Sequence, residues 1–400
     1  MNAMHACNPK SKTVNNLETH KKDVENVMRF RYDSVFALAS FQFCGHIDEY
    51  LIANTRRLCL MYVLPRFGEQ KHVIRRYEEG QLVEERSLRS SQNIFLYYWL
   101  WFWHHNIEIL RFTKGSASRT LVVGGHPVCF FFMSAMKMLR RLSYLYWIGD
   151  YFPNKSLVIR TFERVKRFYH DRIPFTYYLS DAINRKLNRG SLREEPAHRT
   201  LMWGMCRFAT PEDGETRAAS KQLLFVGLVR NGQGIENVLD FLATDKDYTL
   251  AIVGVAANGY ENEVQRMIAE RGLAGRVYFP NRFHSQDELR KIASRSLAGL
   301  ALYSLDEDNF THYADPGKVK AYLEMNLPVI MTRISEVVPF IERFHAGEVV
   351  SSMEEIGGAA KKISEDYRSY GEGVRRFNDH FEYSRLYAEA FKPVEGLWGK

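Results

Sequence analysis

Short apolar runs alternate with longer, one-sided helical patterns along most of the chain. In the first half the runs Val35–Ser40, Leu58–Leu64, Leu121–Gly125, Tyr144–Gly149, Phe175–Leu179 and Thr200–Gly204 predict strands. Helices fit between them at Ile94–Thr113, Val128–Leu142 and Leu157–Asp171. The second half repeats the alternation more cleanly. Its strands are Leu223–Gly227, Thr249–Val253, Val277–Phe279, Gly299–Tyr303, Pro328–Met331 and Gly347–Val350. Its helices are Ile235–Leu242, Glu261–Glu270, Gln286–Ser294, Gly317–Glu324, Val337–Phe344 and Glu354–Tyr367. Strand–helix alternation of this kind predicts an α/β protein with two doubly wound parallel sheets. The polar stretch 207–221, with Pro211, Asp213 and Gly214, reads as the linker between them. The expected division is a polar tail at 1–28, a first domain at 29–206, a second at 222–370, and closing helices over 371–400. In open α/β sheets the ligand sits at the carboxyl ends of the strands, so the loops there carry the candidate chemistry.

Three loops of the second half invite an anion. Asp315-Pro316-Gly317-Lys318 stands where a helix begins. Proline suits the first turn, the amides that follow lack intrahelical acceptors, and Lys318 adds a full charge. Val319 follows inside the same turn. Such a helix start can dock a phosphate or can be an ordinary cap. The segment FVGLVRNGQGI over 225–235 places Gly227, Gly232, Gln233 and Gly234 between a strand and a helix. Glycines let the backbone approach a ligand closely, and Arg230 can pair with a phosphate in a forked contact. A plain tight turn is the alternative. Gly254, ending the strand Ile252-Val253, could admit a flat base or its sugar, or serve as a simple corner.

The first half offers fewer signals. Gly124-Gly125-His126-Pro127 ends a very apolar strand and presents an imidazole or its carbonyl. Gln42, Gly45 and His46 follow the first strand and could line a cleft or a turn. Asp150, after another strand, could orient an acceptor hydroxyl or act as a base, although a capping role is the simpler reading. The segment 94–103 reads IFLYYWLWFW, apolar on too many faces for an ordinary surface helix. It is either deeply buried or a shallow membrane-interface element, where Trp and Tyr are favoured. It is too short to span a bilayer.

Charge sharpens this picture. Residues 1–205 carry 31 Lys/Arg and 18 Asp/Glu, whereas 206–400 carry 24 and 29. The basic half therefore faces something anionic, such as a phosphorylated substrate or an anionic membrane surface. Nucleic-acid motifs are absent, and nucleic acid is not expected as a partner. The five cysteines are scattered, with no C-x-x-C pair, and read as free thiols in a reducing compartment. No secretory leader is recognisable at the start, so a cytoplasmic protein is expected, peripheral on the inner face of the cell membrane if the basic half meets lipid.

The order FVGLVRNGQG, IVG, VYF and KVKAYLEMNLPVI resembles the retaining glycosyltransferases of family 4, which have the GT-B fold of two Rossmann-like domains facing across a cleft. The likeness is strongest from Leu223 to Val350. GGHP looks like the family's histidine loop and WIGDYFP like its acceptor-domain strand end. The resemblance implies transfer of a sugar from a nucleoside-diphosphate donor, UDP- or GDP-linked, to a glycan or polyprenyl-pyrophosphate-linked acceptor in surface polysaccharide biosynthesis. It implies His126 beside the transferred sugar, and Arg230 and Lys318 on the donor diphosphate. Gly227, Gly232, Gln233, Gly234, Gly254, Asp315, Pro316, Gly317 and Val319 fall on the donor side. Gln42, Gly45, His46, Gly125 and Asp150 fall on the acceptor side. No metal or resident cofactor is implied. The chain departs from the pattern at Leu228 (usually Arg), Gln233 (usually Lys), Asn326 (usually Gly) and Ala321 (usually the ribose-binding Glu). Asp315 and Glu324 are the candidates to replace that glutamate. A catalytically silent GT-B partner subunit and a GT-B nucleotide-sugar epimerase are the alternatives.

Overall fold

The computed structural model describes residues 30–40, 45–64, 71–153, 156–206, 214–257, 259–304 and 310–398. The first sheet contains β1 (Tyr32–Ser40), β2 (Thr55–Val63), β3 (Lys71–Glu78), β4 (Gln81–Arg89), β5 (Thr120–Gly124), β6 (Leu142–Ile148), β7 (Phe175–Tyr178) and β8 (His198–Thr200). Their order is β4-β3-β2-β1-β5-β6-β7-β8, with every pair parallel except β2–β3 and the β3–β4 hairpin, so that β3 alone runs against the rest among the described strands. The hairpin falls in a charged stretch where no strand was expected. Its signal is Glu79-Gly80, both at positive φ, the two-residue turn that hairpins require.

The second sheet contains β9 (Gln222–Val226), β10 (Thr249–Val253), β11 (Val277–Tyr278), β12 (Ala298–Ala301), β13 (Val329–Thr332) and β14 (Gly347–Val350). All its pairs are parallel, in the order β11-β10-β9-β12-β13-β14. This is the dinucleotide-fold order 3-2-1-4-5-6, whose direction reverses between the first and fourth strands. The corresponding reversal in the first sheet lies between β1 and β5.

Helices cover both faces of both sheets. On the first sheet α1 (Ile47–Asn54) lies on one face, and α2 (Ile94–Phe112), α3 (Met133–Leu139), α4 (Leu157–His170) and α5 (Asp181–Leu187) follow along the other. The expected helix over 128–142 is broken into a 3-10 turn, Pro127–Phe130, and α3. Helix α6 (Gly214–Ser220) forms inside the stretch expected as linker. Its Arg217, 3% exposed, donates to the carbonyls of Asn326, Met325 and Ser294, so it caps another helix's end. The second sheet is covered by α7 (Ile235–Thr244), α8 (Tyr260–Glu270), α9 (Gln286–Ala293), α10 (Gly317–Glu324), α11 (Val338–Phe344), α12 (Ile356–Glu365) and α13 (Tyr367–His380).

The last helices, α14 (Tyr383–Ala390) and α15 (Lys392–Glu395), cross back to the first sheet. Tyr387, Phe391 and Val394 are buried with Tyr32, Tyr50 and Trp147. Tyr177 donates to the Ala390 carbonyl at 2.6 Å and Trp398 to that of Arg119 at 2.7 Å. The chain end thus staples the two domains. Among the described residues no helix is long and apolar enough to cross a membrane.

Candidate functional site

The second sheet's reversal point is built by close backbone approach. Gly254, at φ 156, leaves no room for a side chain, because a Cβ there would lie 1.8 Å from the Gly227 carbonyl oxygen. The loops after β9 and β10 are also bonded together through Val229 and Val255 at 3.0 Å. Gly254→Ala is therefore expected to cost at least about 3 kcal/mol, read as a lower Tm. Gly234, at φ 74, caps α7, and a Cβ there would lie 2.4 Å from Leu302 Cβ. These contacts bring the start of α7 against the end of β12.

Helix α10 points its start into the same corner. Pro316 is its N-cap rather than its first helical residue. Pro316 has no amide hydrogen and its carbonyl accepts from Val319, so the amides of Gly317 and Lys318 are the donors left over. Gly317 is exposed and faces open space. At its other end Asn326 takes the left-handed position, φ 53. Its amide reaches Leu323 and that of Leu327 reaches Tyr322, each at 3.0 Å, a Schellman closure in which Asn stands for the usual glycine. Midway, Tyr322 Oη accepts from Val226 N at 2.8 Å and donates to Leu300 O at 3.0 Å, tying α10 to both β9 and β12. Thr332 adds a matching pair of bonds to Tyr303. Sequence reasoning missed both residues. The only signal was a small strand residue, Gly299, on whose α-carbon the Tyr322 ring packs.

Lys318 lies in this corner. Its Nζ donates to Gln233 Oε1 at 2.9 Å, sits 4.2 Å from the Phe225 ring centroid and 5.1 Å from that of Tyr303, and would be 3.8 Å from a Cβ on Gly227. Gln233, standing where the resembled family has lysine, orients the remaining lysine instead. Burial, helped by the charge of Arg230, pushes the Lys318 ammonium down to about 7. Arg230 itself is exposed at the mouth. Two cations therefore repel across one corner that holds leftover amides, and among the described residues no carboxylate is paired with either of them, which is the electrostatic mark of an anion seat. Gly227, Gln233, Gly234, Gly254, Gly317, Arg230 and Lys318 are brought together here, whereas Gly232 is exposed in the loop with nothing packed against it.

Three expected donor-side residues are not available as expected. Asp315 is 3% exposed; its Oδ2 accepts from Trp203 N at 2.8 Å and pairs with Lys320 at 3.5 Å. The extended backbone at Pro316 turns the Asp315 side chain toward the chain crossing between domains. The side chain of Val319 is fully buried and its amide is bonded to Pro316 O. Glu324, the other candidate for the ribose, is 3% exposed and accepts from Cys206 N at 3.0 Å and from His46 at 2.7 Å.

On the acceptor side, Gln42 lies outside the described residues. Gly45 and His46 are corrected from cleft residues to packed ones. Gly45 is crowded by Tyr387 and Gly204, and Tyr387 Oη donates to its carbonyl at 2.6 Å. His46 is 5% exposed and held between Glu49 and Glu324, at 2.6 and 2.7 Å. Burial alone would lower its imidazole, but the bonds and charges of the two glutamates outweigh it and carry it up to about 10. This pair joins the two domains.

Gly125, His126 and Asp150 stay at the strand ends. Gly125 is exposed. His126 Nδ1 accepts from Val128 N at 3.2 Å, so the ring proton is on Nε2. The ring packs 4.7 Å from Trp101 and 5.2 Å from Phe162, and burial with the Lys166 charge pushes it down to about 3. It is a neutral ring that can donate, not a charged one. Asp150 is open to solvent, yet the surrounding protein raises its carboxyl above the usual range, as at the floor of a cleft. Its carbonyl accepts from Lys166.

The strand ends of the two sheets face each other. Ser180 Oγ donates to Tyr313 O at 2.5 Å, Tyr151 packs 4.7 Å from Tyr313, and Phe152 packs 6.1 Å from Phe310. Glu336, after β13, faces Asp181 at the start of α5.

Residues 277–391 match the family model described as the glucosyltransferase 3-like C-terminal domain. No curated protein matches the sequence. Among solved structures the chain is similar to sucrose-phosphate synthase from Thermosynechococcus elongatus, with TM-score 0.65, 13% identity, and coverage of 91% of this chain and 99% of that one. It is also similar to HepE from Anabaena in complex with UDP, with TM-score 0.60, 13% identity, and coverage of 91% and 99%. WaaG, a glycosyltransferase involved in lipopolysaccharide biosynthesis, gives TM-score 0.55, 14% identity, and coverage of 92% and 100%. The fold is GT-B, with two Rossmann-like domains.

Proposed function

We propose that the protein is a retaining glycosyltransferase of the family 4 type, taking a UDP- or GDP-linked sugar. The observation that carries this reading is the corner formed by Gly227, Gly317, Arg230 and Lys318, where cations and leftover amides gather at a GT-B reversal point. The solved relatives support the donor class: HepE was captured with UDP. The reaction breaks the bond between the anomeric carbon and the β-phosphate oxygen and forms one to the acceptor hydroxyl oxygen. The proton released by the acceptor passes to the departing phosphate. Lys318, Arg230 and the start of α10 would stabilise the charge that grows on that phosphate. His126, neutral with its proton on Nε2, would hold a sugar hydroxyl, and Asp150 would orient the acceptor. The acceptor is a glycan or lipid-linked saccharide of surface polysaccharide assembly, reached through the basic first domain.

One observation favours a second reading, a silent partner subunit. Ala321 leaves the usual ribose carboxylate missing, and both replacements, Asp315 and Glu324, are engaged between the domains. A thermal-shift screen with UDP, GDP, ADP, CMP and their sugars separates the two. At about 100 Kd a true donor adds about 2.7 kcal/mol, a rise of several degrees. One nucleoside diphosphate is expected to give that rise. A flat response to all of them supports the silent subunit.

A further inference from the structure

Helix α2 is two-faced. Tyr97, Trp101, Ile109 and Phe112 are buried on the sheet, while Phe95, Trp99 and Trp103, one turn apart, are 83%, 58% and 39% exposed. The apolar strip continues past the helix. Phe132 packs 4.9 Å from Phe102, and Phe131 and Phe132 are themselves about half exposed. It ends at α3, where Met138 is 88% and Leu139 59% exposed.

Cations begin where the strip ends. Met138 and Leu139 are also on the wall of a hollow of about 680 Å³ that includes Arg119, Lys137, Arg140 and Arg141. Its lining contains no Asp or Glu among the described residues. The hollow opens at the amino ends of β5, β6 and β7, the opposite end of the sheet from the anion seat. On the neighbouring helix α4, Leu157, Arg160, Arg164 and Phe168 are exposed as well.

We propose that this face docks the protein on an anionic phospholipid bilayer, with Phe95, Trp99 and Trp103 entering the interface and the arginine hollow seating lipid phosphates. Aromatic rings favour the depth just below the headgroups, and each basic residue near an anionic surface strengthens binding about fivefold. Charge complementarity selects lipid over a second copy of this chain, since two such faces would bring like charges together. The surface also serves the proposed reaction. Tyr98, itself partly exposed, stacks on His126 and the buried Trp101 packs against the same ring, so one helix would touch both the bilayer and the acceptor side of the cleft. The docking stands on its own geometry and does not depend on donor binding.

Flotation of the full chain with vesicles tests it. Vesicles of equal parts phosphatidylglycerol and phosphatidylcholine are expected to carry the protein up at low salt, and pure phosphatidylcholine vesicles much less. The exposed pairs Phe95→Ser with Trp99→Ser, and Lys137→Glu with Arg141→Glu, are each expected to weaken binding at least tenfold while leaving the thermal melt unchanged. Inorganic phosphate at matched ionic strength is expected to leave flotation intact. Absence of flotation overturns the proposal, as does equal flotation on neutral vesicles. Full competition by inorganic phosphate would reduce the hollow to a free-anion site and overturn it too. So would an apolar double variant that changes oligomeric state in a protein that ignores vesicles.

Discussion

Lys318→Met is expected to lower sugar transfer and donor hydrolysis by at least about 100-fold, the scale set by losing one preorganised donor to a growing phosphate charge. The same substitution is expected to stabilise the empty protein. Lys318 is held at about 7 against an ordinary 10.5, so between those values the unfolded chain binds the proton and the folded chain does not. The penalty is complete below about pH 7, shrinks as pH rises, and is gone above 10.5. Thermal melts should therefore show Lys318→Met above wild type at pH 7 and level with it near pH 10.5. A bound diphosphate restores the lysine's charge. Donor binding at pH 8 should take up a proton, and affinity should fall roughly tenfold per pH unit as pH rises above about 7. Calorimetry in buffers of different ionisation enthalpy reads that proton directly; binding without proton uptake would remove Lys318 from the diphosphate.

The second large effect is expected at the domain junction. Glu324→Ala removes the carboxylate that accepts from His46 and from the Cys206 amide, while Glu49 stays on the other side of the ring. Removing one partner of a buried pair costs about 3–5 kcal/mol. His46→Ala should cost a similar amount, and the double variant should cost much less than the sum. Because the His46 imidazole is raised from 6.5 to about 10, its contribution is fully present below pH 6.5. It declines as pH climbs and is lost above about 10. Denaturant titrations of wild type and Glu324→Ala across that range should show the gap narrowing toward the alkaline end, down to what the Cys206 bond contributes. A constant gap would mean that packing, not charge, holds the junction.

Much of the scaffold was legible because burial on both faces writes parallel strands as unbroken apolar runs. The runs at Thr249–Val253 and Gly347–Val350 and the helix Gly317–Glu324 stand where the pattern put them. The β3–β4 hairpin was hidden because an edge hairpin is solvated, and its charges mask the alternation. The glycines and Lys318 were legible as residues of the strand-end loops because close backbone approach and a helix start need those residue types. Asp315, Glu324 and His46 were not. A carboxylate or imidazole near a cleft in sequence looks the same whether it faces a ligand or an opposing domain. Only the pairing of His46 with a residue 278 positions away decides it. Gln233 is the reverse case: as a departure from the resembled family it looked like a loss, yet its carbonyl aims the lysine that remains.

Hydrogen exchange of the full chain with each nucleoside diphosphate tests the anion seat without altering a residue. The account predicts that one diphosphate slows exchange at the amides of 227–235 and 316–319 together, and not at those of the β3–β4 hairpin. Protection confined to another part of the chain, or no protection by any diphosphate at saturating concentration, would contradict it.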